Sequence, residues 1–120
     1  MVRSLTTHVL DITQGQPVAH LALELWRLDA RSGEKALLKS LYTNAQGRTD
    51  EPLLGENELV AGCYEIVFMV GAYFNAHRST DDSLPFLTEV PVRFTITNPS
   101  THYHIPLLVS PWAYSTYRGS

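Results

Sequence analysis

A chain of 120 residues with 44% hydrophobic and 18% charged content has the size and make-up of one globular domain, not of a disordered tail. The net charge is −3, and the nine basic residues are scattered, which argues against the basic stripe of a nucleic-acid binder. Cys63 is the only cysteine, so neither an intrachain disulfide nor a thiolate metal cluster can form.

Short β-prone runs separated by turn residues dominate the chain, the pattern of an all-β sandwich in a single domain spanning residues 1–120. Leu5 to Ile12 is the first expected strand, closed by a turn at Thr13-Gln14-Gly15-Gln16-Pro17. His20 to Leu28 follows, with Leu21, Leu23 and Leu25 on one face and His20, Ala22, Glu24 and Trp26 on the other. A loop at Ala30–Glu34 leads to a third strand over Ala36–Thr43. In the turn Asn44-Ala45-Gln46-Gly47-Arg48, Gly47 can take a positive φ at little cost. Residues 49 to 61 are polar and irregular, with a short strand possible at Leu53-Leu54.

Cys63 to Val70 has high β propensity, and within that run Cys63 reads as a small buried hydrophobe. Gly71 to Ser79 is the one plausible helix, about two turns long and ended by Asp81–Pro85. Glu89 to Thr97 alternates, with Val90, Val92, Phe94 and Ile96 on one face. Its Pro91 suits an edge. His102 to Val109 and Ala113 to Arg118 complete the strands. No apolar run approaches the roughly 20 residues of a membrane span. Met1–Leu5 lacks the apolar region of a secretory signal, so the expected compartment is the cytoplasm.

Five histidines stand in the chain: His8, His20, His77, His102 and His104. The imidazoles of His102 and His104 share one face of a strand, because strand side chains alternate. That pair admits three readings: half-exposed surface histidines, zinc ligands awaiting a third donor, or acid–base groups. His8, on a face with Thr6 and Leu10, reads singly as a satisfied polar residue, and Arg48 as a solvated turn residue. The last residues, Tyr114 to Ser120, keep strand-like alternation and carry two tyrosines and an arginine. Chain ends usually fray into small polar residues, so this end is expected to be held in place.

Four segments together resemble the 5-hydroxyisourate hydrolase family, the transthyretin-related proteins. They are Leu5-Thr6-Thr7-His8-Val9-Leu10-Asp11 with its Gly15-x-Pro17 turn, Gln46-Gly47-Arg48, His102-Tyr103-His104-Ile105-Pro106-Leu107-Leu108-Val109-Ser110, and the closing Tyr117-Arg118-Gly119-Ser120. The resemblance runs from about residue 5 to 120. It implies a transthyretin-like sandwich of two four-stranded sheets with one short helix. It also implies a homotetramer, a dimer of dimers, with active sites in the channel between dimers.

The implied reaction is hydrolytic opening of 5-hydroxyisourate at its N1–C6 amide. The resemblance implies His8, Arg48, His104 and Ser120 as catalytic residues. Substrate-binding residues would be Tyr117 and Arg118, with His8 and Arg48 sharing that role. His104 and His8 would flank the attacking water, Arg48 would meet the oxyanion, and both arginines would disfavour imidazolium. No metal and no cofactor are implied, although His8, His102 and His104 could in principle converge on zinc. His102 is expected to stand behind His104, His20 and His77 at the surface, and Trp26 and Trp112 in packing or interfaces. Transthyretin itself is a carrier with the same fold, so a small-ligand carrier is the alternative. It does not keep the histidines, the arginine or the terminal tetrapeptide.

Overall fold

The computed structural model describes residues 3–76 and 85–119. Their eight strands and one helix run in the order β1 (Leu5–Asp11), β2 (Gln16–Pro17), β3 (Ala22–Leu28), β4 (Lys35–Tyr42), β5 (Gly62–Phe68), α1 (Val70–Ala76), β6 (Val90–Ile96), β7 (Tyr103–Val109) and β8 (Tyr114–Thr116). They form two four-stranded sheets, ordered β2-β1-β7-β8 and β4-β3-β5-β6. Apolar residues alternate along most strands, so each sheet turns one face inward: Leu5 and Val9 from β1, Leu23 and Leu25 from β3, Ile66 and Phe68 from β5, Leu107 and Val109 from β7. Fully burying one such side chain contributes about 1.5–3 kcal/mol. The opposite faces carry polar residues such as Thr6, His8 and His104, and the large side chains of Leu37, Leu38, Tyr42 and Tyr114 are exposed as well.

The pairing that matters most joins the two ends of the chain. β1 runs parallel to β7, with Leu5 opposite Tyr103, Thr6 opposite His104 and His8 opposite Pro106. The buried Thr7 hydroxyl donates to the Ile105 carbonyl at 2.6 Å across this pair. β8 then pairs antiparallel with β7, Leu107 opposite Thr116 and Val109 opposite Tyr114.

Several expectations need correction. The second strand starts at Ala22, because His20 is left-handed (φ 58°) rather than extended. Buried Thr43 holds that kink: its carbonyl accepts from His20 N–H at 2.9 Å and its hydroxyl oxygen from Leu21 N–H at 2.9 Å. The first turn contains a strand, since Gln16-Pro17 pairs with Asp11 and Leu10. Leu54 makes only a single bridge, to Leu5. Cys63 is half-buried instead of buried. The helix begins one residue earlier, at Val70, and buries Val70 and Phe74. The expected continuation to Ser79, and His77 with it, lie outside the described residues. Pro91 does sit on an edge strand, β6. No described helix is long and apolar enough to cross a membrane.

One buried polar centre was not anticipated. The carboxylate of Asp11, at the end of β1, accepts from the backbone of Thr13 at 2.9 Å and of Gln14 at 3.3 Å, and from the Tyr73 hydroxyl at 2.8 Å. Burial alone would raise this carboxyl, but the hydrogen bonds from Thr13, Tyr73 and Gln14 together hold it below its ordinary range. The Tyr73 phenol is pushed up to about 12 by burial and by this carboxylate.

Candidate active site

The outward face of β1 presents Thr6 and His8, since their neighbours Leu5, Thr7 and Val9 point into the core. On β7 the same alternation turns His104 outward between buried Tyr103 and Ile105. Parallel register sets Thr6 beside His104, and the Thr6 Oγ1 lies 2.8 Å from His104 Nδ1. His102, one residue before the strand, lies with its ring nearly parallel to that of His104, centroids 6.3 Å apart and planes at 12°.

Arg48 reaches this face from the turn after β4. Asn44 organises the turn: its side-chain carbonyl accepts from Gln46 N–H at 2.9 Å and Arg48 N–H at 3.2 Å, and its backbone N–H donates to the Arg48 carbonyl at 2.6 Å. Gly47 fastens the turn to β1, its carbonyl accepting from Val9 N–H at 2.9 Å. It has φ +77°, and a Cβ there would stand 2.4 Å from the Val9 carbonyl oxygen and 3.3 Å from His8 Cδ2. Glycine is therefore required both by conformation and by the close approach that brings Arg48 to the histidines.

The electrostatics follow from this clustering. Burial lowers the His8 imidazole below its ordinary value, and the Arg48 cation lowers it further, against a hydrogen bond with the Gln46 backbone. Burial also lowers His104, with Arg48, His102 and His8 adding in that order. Both imidazoles are thus kept neutral, the form that accepts a proton. His104, His102, Thr6, Thr7, Arg48, Thr49, Asp50 and Pro52 line a cavity of about 480 Å³; His8 is not among its lining residues. Two larger hollows lie elsewhere, about 700 Å³ around Arg27 and Lys35 and about 590 Å³ around His20 and Tyr73. Neither sets an imidazole opposite a guanidinium, so chemistry favours the smaller one.

The C-terminal segment is anchored here. Gly119 N–H donates to the His104 carbonyl at 2.7 Å, and a Cβ at Gly119 would stand 2.7 Å from His104 Cδ2. Tyr117 is exposed. Arg118 lays its guanidinium over the Tyr103 ring, 4.2 Å from the centroid, and reaches Thr101 Oγ1 at 3.5 Å. Of the two arginines, Arg48 is the one among the charges acting on His8 and His104. Ser120 lies outside the described residues. Among the described residues no group of three or more His, Cys, Asp or Glu is arranged to hold a metal ion. The hydroxyls of Ser4 and Thr6 were missed by sequence reading. The signal was their period-two spacing with His8, legible only once β1 is known to lie beside His102 and His104.

The family model described as transthyretin, HIUase/Transthyretin family, matches residues 5–119. A 5-hydroxyisourate hydrolase of Halalkalibacterium halodurans is 48% identical over 120 residues, covering all of both chains. The structure of an (S)-allantoin synthase is similar with TM-score 0.88 and 43% identity, over 99% of this chain but only 44% of the other. Transthyretin from Sparus aurata is similar with TM-score 0.82 and 29% identity, over 96% of this chain and 95% of that one.

Proposed function

The chain belongs to the HIUase/transthyretin family, and from that membership and the site on its β1–β7 sheet we propose that it is a hydrolase of 5-hydroxyisourate. The reaction is water addition at C6 and cleavage of the N1–C6 bond, giving 2-oxo-4-hydroxy-4-carboxy-5-ureidoimidazoline. The observation that carries this reading is the clustering of Arg48 with His8 and His104, both imidazoles lowered by burial and by that cation, with Arg48 and His104 together in one cavity wall. A neutral imidazole near pH 7 is a competent general base. His104 removes the proton from water, His8 helps hold that water, and Arg48 meets the negative oxygen that forms on C6. One well-placed donor for such an oxyanion is worth about 3–4 kcal/mol in other enzymes. Tyr117, Arg118 and Ser120 complete the substrate's polar contacts.

A homotetramer is part of the proposal. Ile12, Trp112 and Tyr114 are all exposed large apolar side chains, and Ile12 N–H bonds the Val109 carbonyl beside them. Such a cluster at one end of the β1–β7–β8 sheet favours cover by further copies. With one cysteine and no intrachain disulfide possible, the cytoplasm is the proposed compartment.

A transthyretin-like carrier is the second reading, favoured by the similarity to Sparus aurata transthyretin. Function lives in the site more than in the fold, and the imidazole–guanidinium cluster serves hydrolysis. The test generates 5-hydroxyisourate freshly with urate oxidase and follows its ultraviolet decay with the protein added, with and without a chelator. Rapid chelator-insensitive loss is expected, and His104→Asn should abolish it while leaving the oligomer intact. Decay at the spontaneous rate, with tight binding of an aromatic ligand, would establish the carrier.

A further inference from the structure

On the outward faces of the β1–β7 pair two rows of side chains meet: hydroxyls at Ser4 and Thr6, imidazoles at His102 and His104. The parallel register interleaves them. Ser4 Oγ lies 3.1 Å from His102 Nδ1, Thr6 Oγ1 lies 3.4 Å from His102 Nε2, and Thr6 Oγ1 lies 2.8 Å from His104 Nδ1. The result is a chain, Ser4–His102–Thr6–His104, that ends on the cavity wall and that the hydrolytic scheme leaves unused.

A hydroxyl has one proton to give, so such a chain has a direction. If His104 Nδ1–H donates to Thr6, the Thr6 hydroxyl donates onward to His102 Nε2, and His102 Nδ1–H donates to Ser4. His104 Nε2 then carries the lone pair that a general base needs. We propose that Thr6 and His102 are positioning residues that fix this tautomer of His104 and take over the proton it abstracts. The proposal rests on the hydrolase reading in which His104 is the base.

The step balances. The water O–H bond breaks and His104 Nε2–H forms, while the oxygen bonds to C6. His104 Nδ1–H breaks as a new Thr6 O–H forms, and the former Thr6 O–H breaks as His102 Nε2–H forms. The hydroxyl is now on the substrate, and the imidazolium is His102. When the C6–N1 bond breaks, the same shifts run backwards and the proton reaches the leaving nitrogen. The gain is electrostatic. The charged groups acting on His104 are Arg48 from the turn, His8 from β1 and His102 from its own segment, while Asp50 lines the same cavity. With the Arg48 cation acting on His104, charge relayed to His102 leaves the ring on which that cation acts.

The experiment compares the full-length wild type with Thr6→Val, Thr6→Ser and His102→Asn. Valine is isosteric and suits a strand, so the variant keeps its fold. Expected for Thr6→Val is a fall in kcat of about 10-fold or more, a part of the roughly 10²–10⁴-fold that a complete general acid–base contribution supplies, with KM little changed. Thr6→Ser restores most of it. His102→Asn lowers kcat and, by removing a like charge, moves the acid limb of the pH profile upward. The double variant is no worse than the poorer single one. ¹⁵N NMR of His104 should show Nδ1 protonated in the wild type and a tautomer mixture in Thr6→Val. An active wild type whose Thr6→Val and His102→Asn variants keep kcat, pH profile and tautomer overturns this inference alone. A wild type without turnover overturns the hydrolase reading, and the proton step with it.

Discussion

Replacing Gly47 by alanine is expected to damage both stability and catalysis, and the size of the effect can be worked from the structure. Gly47 sits at φ +77°, where an L-residue costs about 1–2 kcal/mol. Its new Cβ would stand 2.4 Å from the Val9 carbonyl oxygen, backbone that cannot swing aside. The turn must therefore retreat from β1, which strains the Val9 N–H bond to the Gly47 carbonyl and the Val18 N–H bond to the Val9 carbonyl. Each is worth about 1 kcal/mol. The total is about 3–4 kcal/mol, which for a chain of this length lowers Tm by on the order of 10 °C. Gly33→Ala is the internal control, since Gly33 has the same φ of +77° and no atom within 4 Å of its Cβ position. It should show the conformational part alone, about 1–2 kcal/mol. Urea unfolding at one fixed protein concentration measures both variants, because an oligomer's stability depends on concentration. Turnover should fall in Gly47→Ala and hold in Gly33→Ala, because only the former displaces Arg48. Equal stability losses in the two variants, with activity retained in both, would refute the close-approach argument.

The acid limb of kcat/KM should lie below pH 6.5, because burial and then Arg48 lower both imidazoles and keep them neutral into acid; Arg48→Gln should move that limb upward and slow turnover. Stability carries the same sign: the unfolded chain takes up these protons first, so acidification through 6.5 costs folding free energy, checked by urea midpoints across pH. Asp11→Ala removes a buried acceptor of four hydrogen bonds and should cost about 2–4 kcal/mol in urea unfolding. The Asp11 carboxyl lies below its ordinary 3.8, so the stability it confers is present above that pH and is lost on acidification through its lower folded value; Asp11→Asn should flatten that loss. Gly119→Ala puts a methyl 2.7 Å from His104 Cδ2 and should lower kcat by about 10- to 100-fold with little change in Tm, as small misplacements do.

The inward faces were legible because burial writes itself as period-two alternation: Val90, Val92 and Ile96, or Leu21, Leu23 and Leu25, announce a strand wherever they fall. The kink at His20 was not, because it depends on Thr43, twenty-three residues on, to hold an unfavourable φ. Two-residue β2 is too short to show a period, and the Asp11 carboxylate looked like any turn acid until Tyr73 packed against it. The candidate site was legible from the residues as isolated polar groups, and only the family resemblance joined them. The reason is topological. β1 and β7 are parallel neighbours, and a parallel pair needs a long crossover. Here β2, the whole second sheet and the helix lie within that crossover, so Thr6 and His104 meet across 98 positions of chain. No local pattern spans that distance. The same topology explains why the fold tolerates a site on this sheet: the groups that do chemistry point outward, away from the core that stabilises the sandwich. Substituting them should therefore cost activity long before it costs the fold.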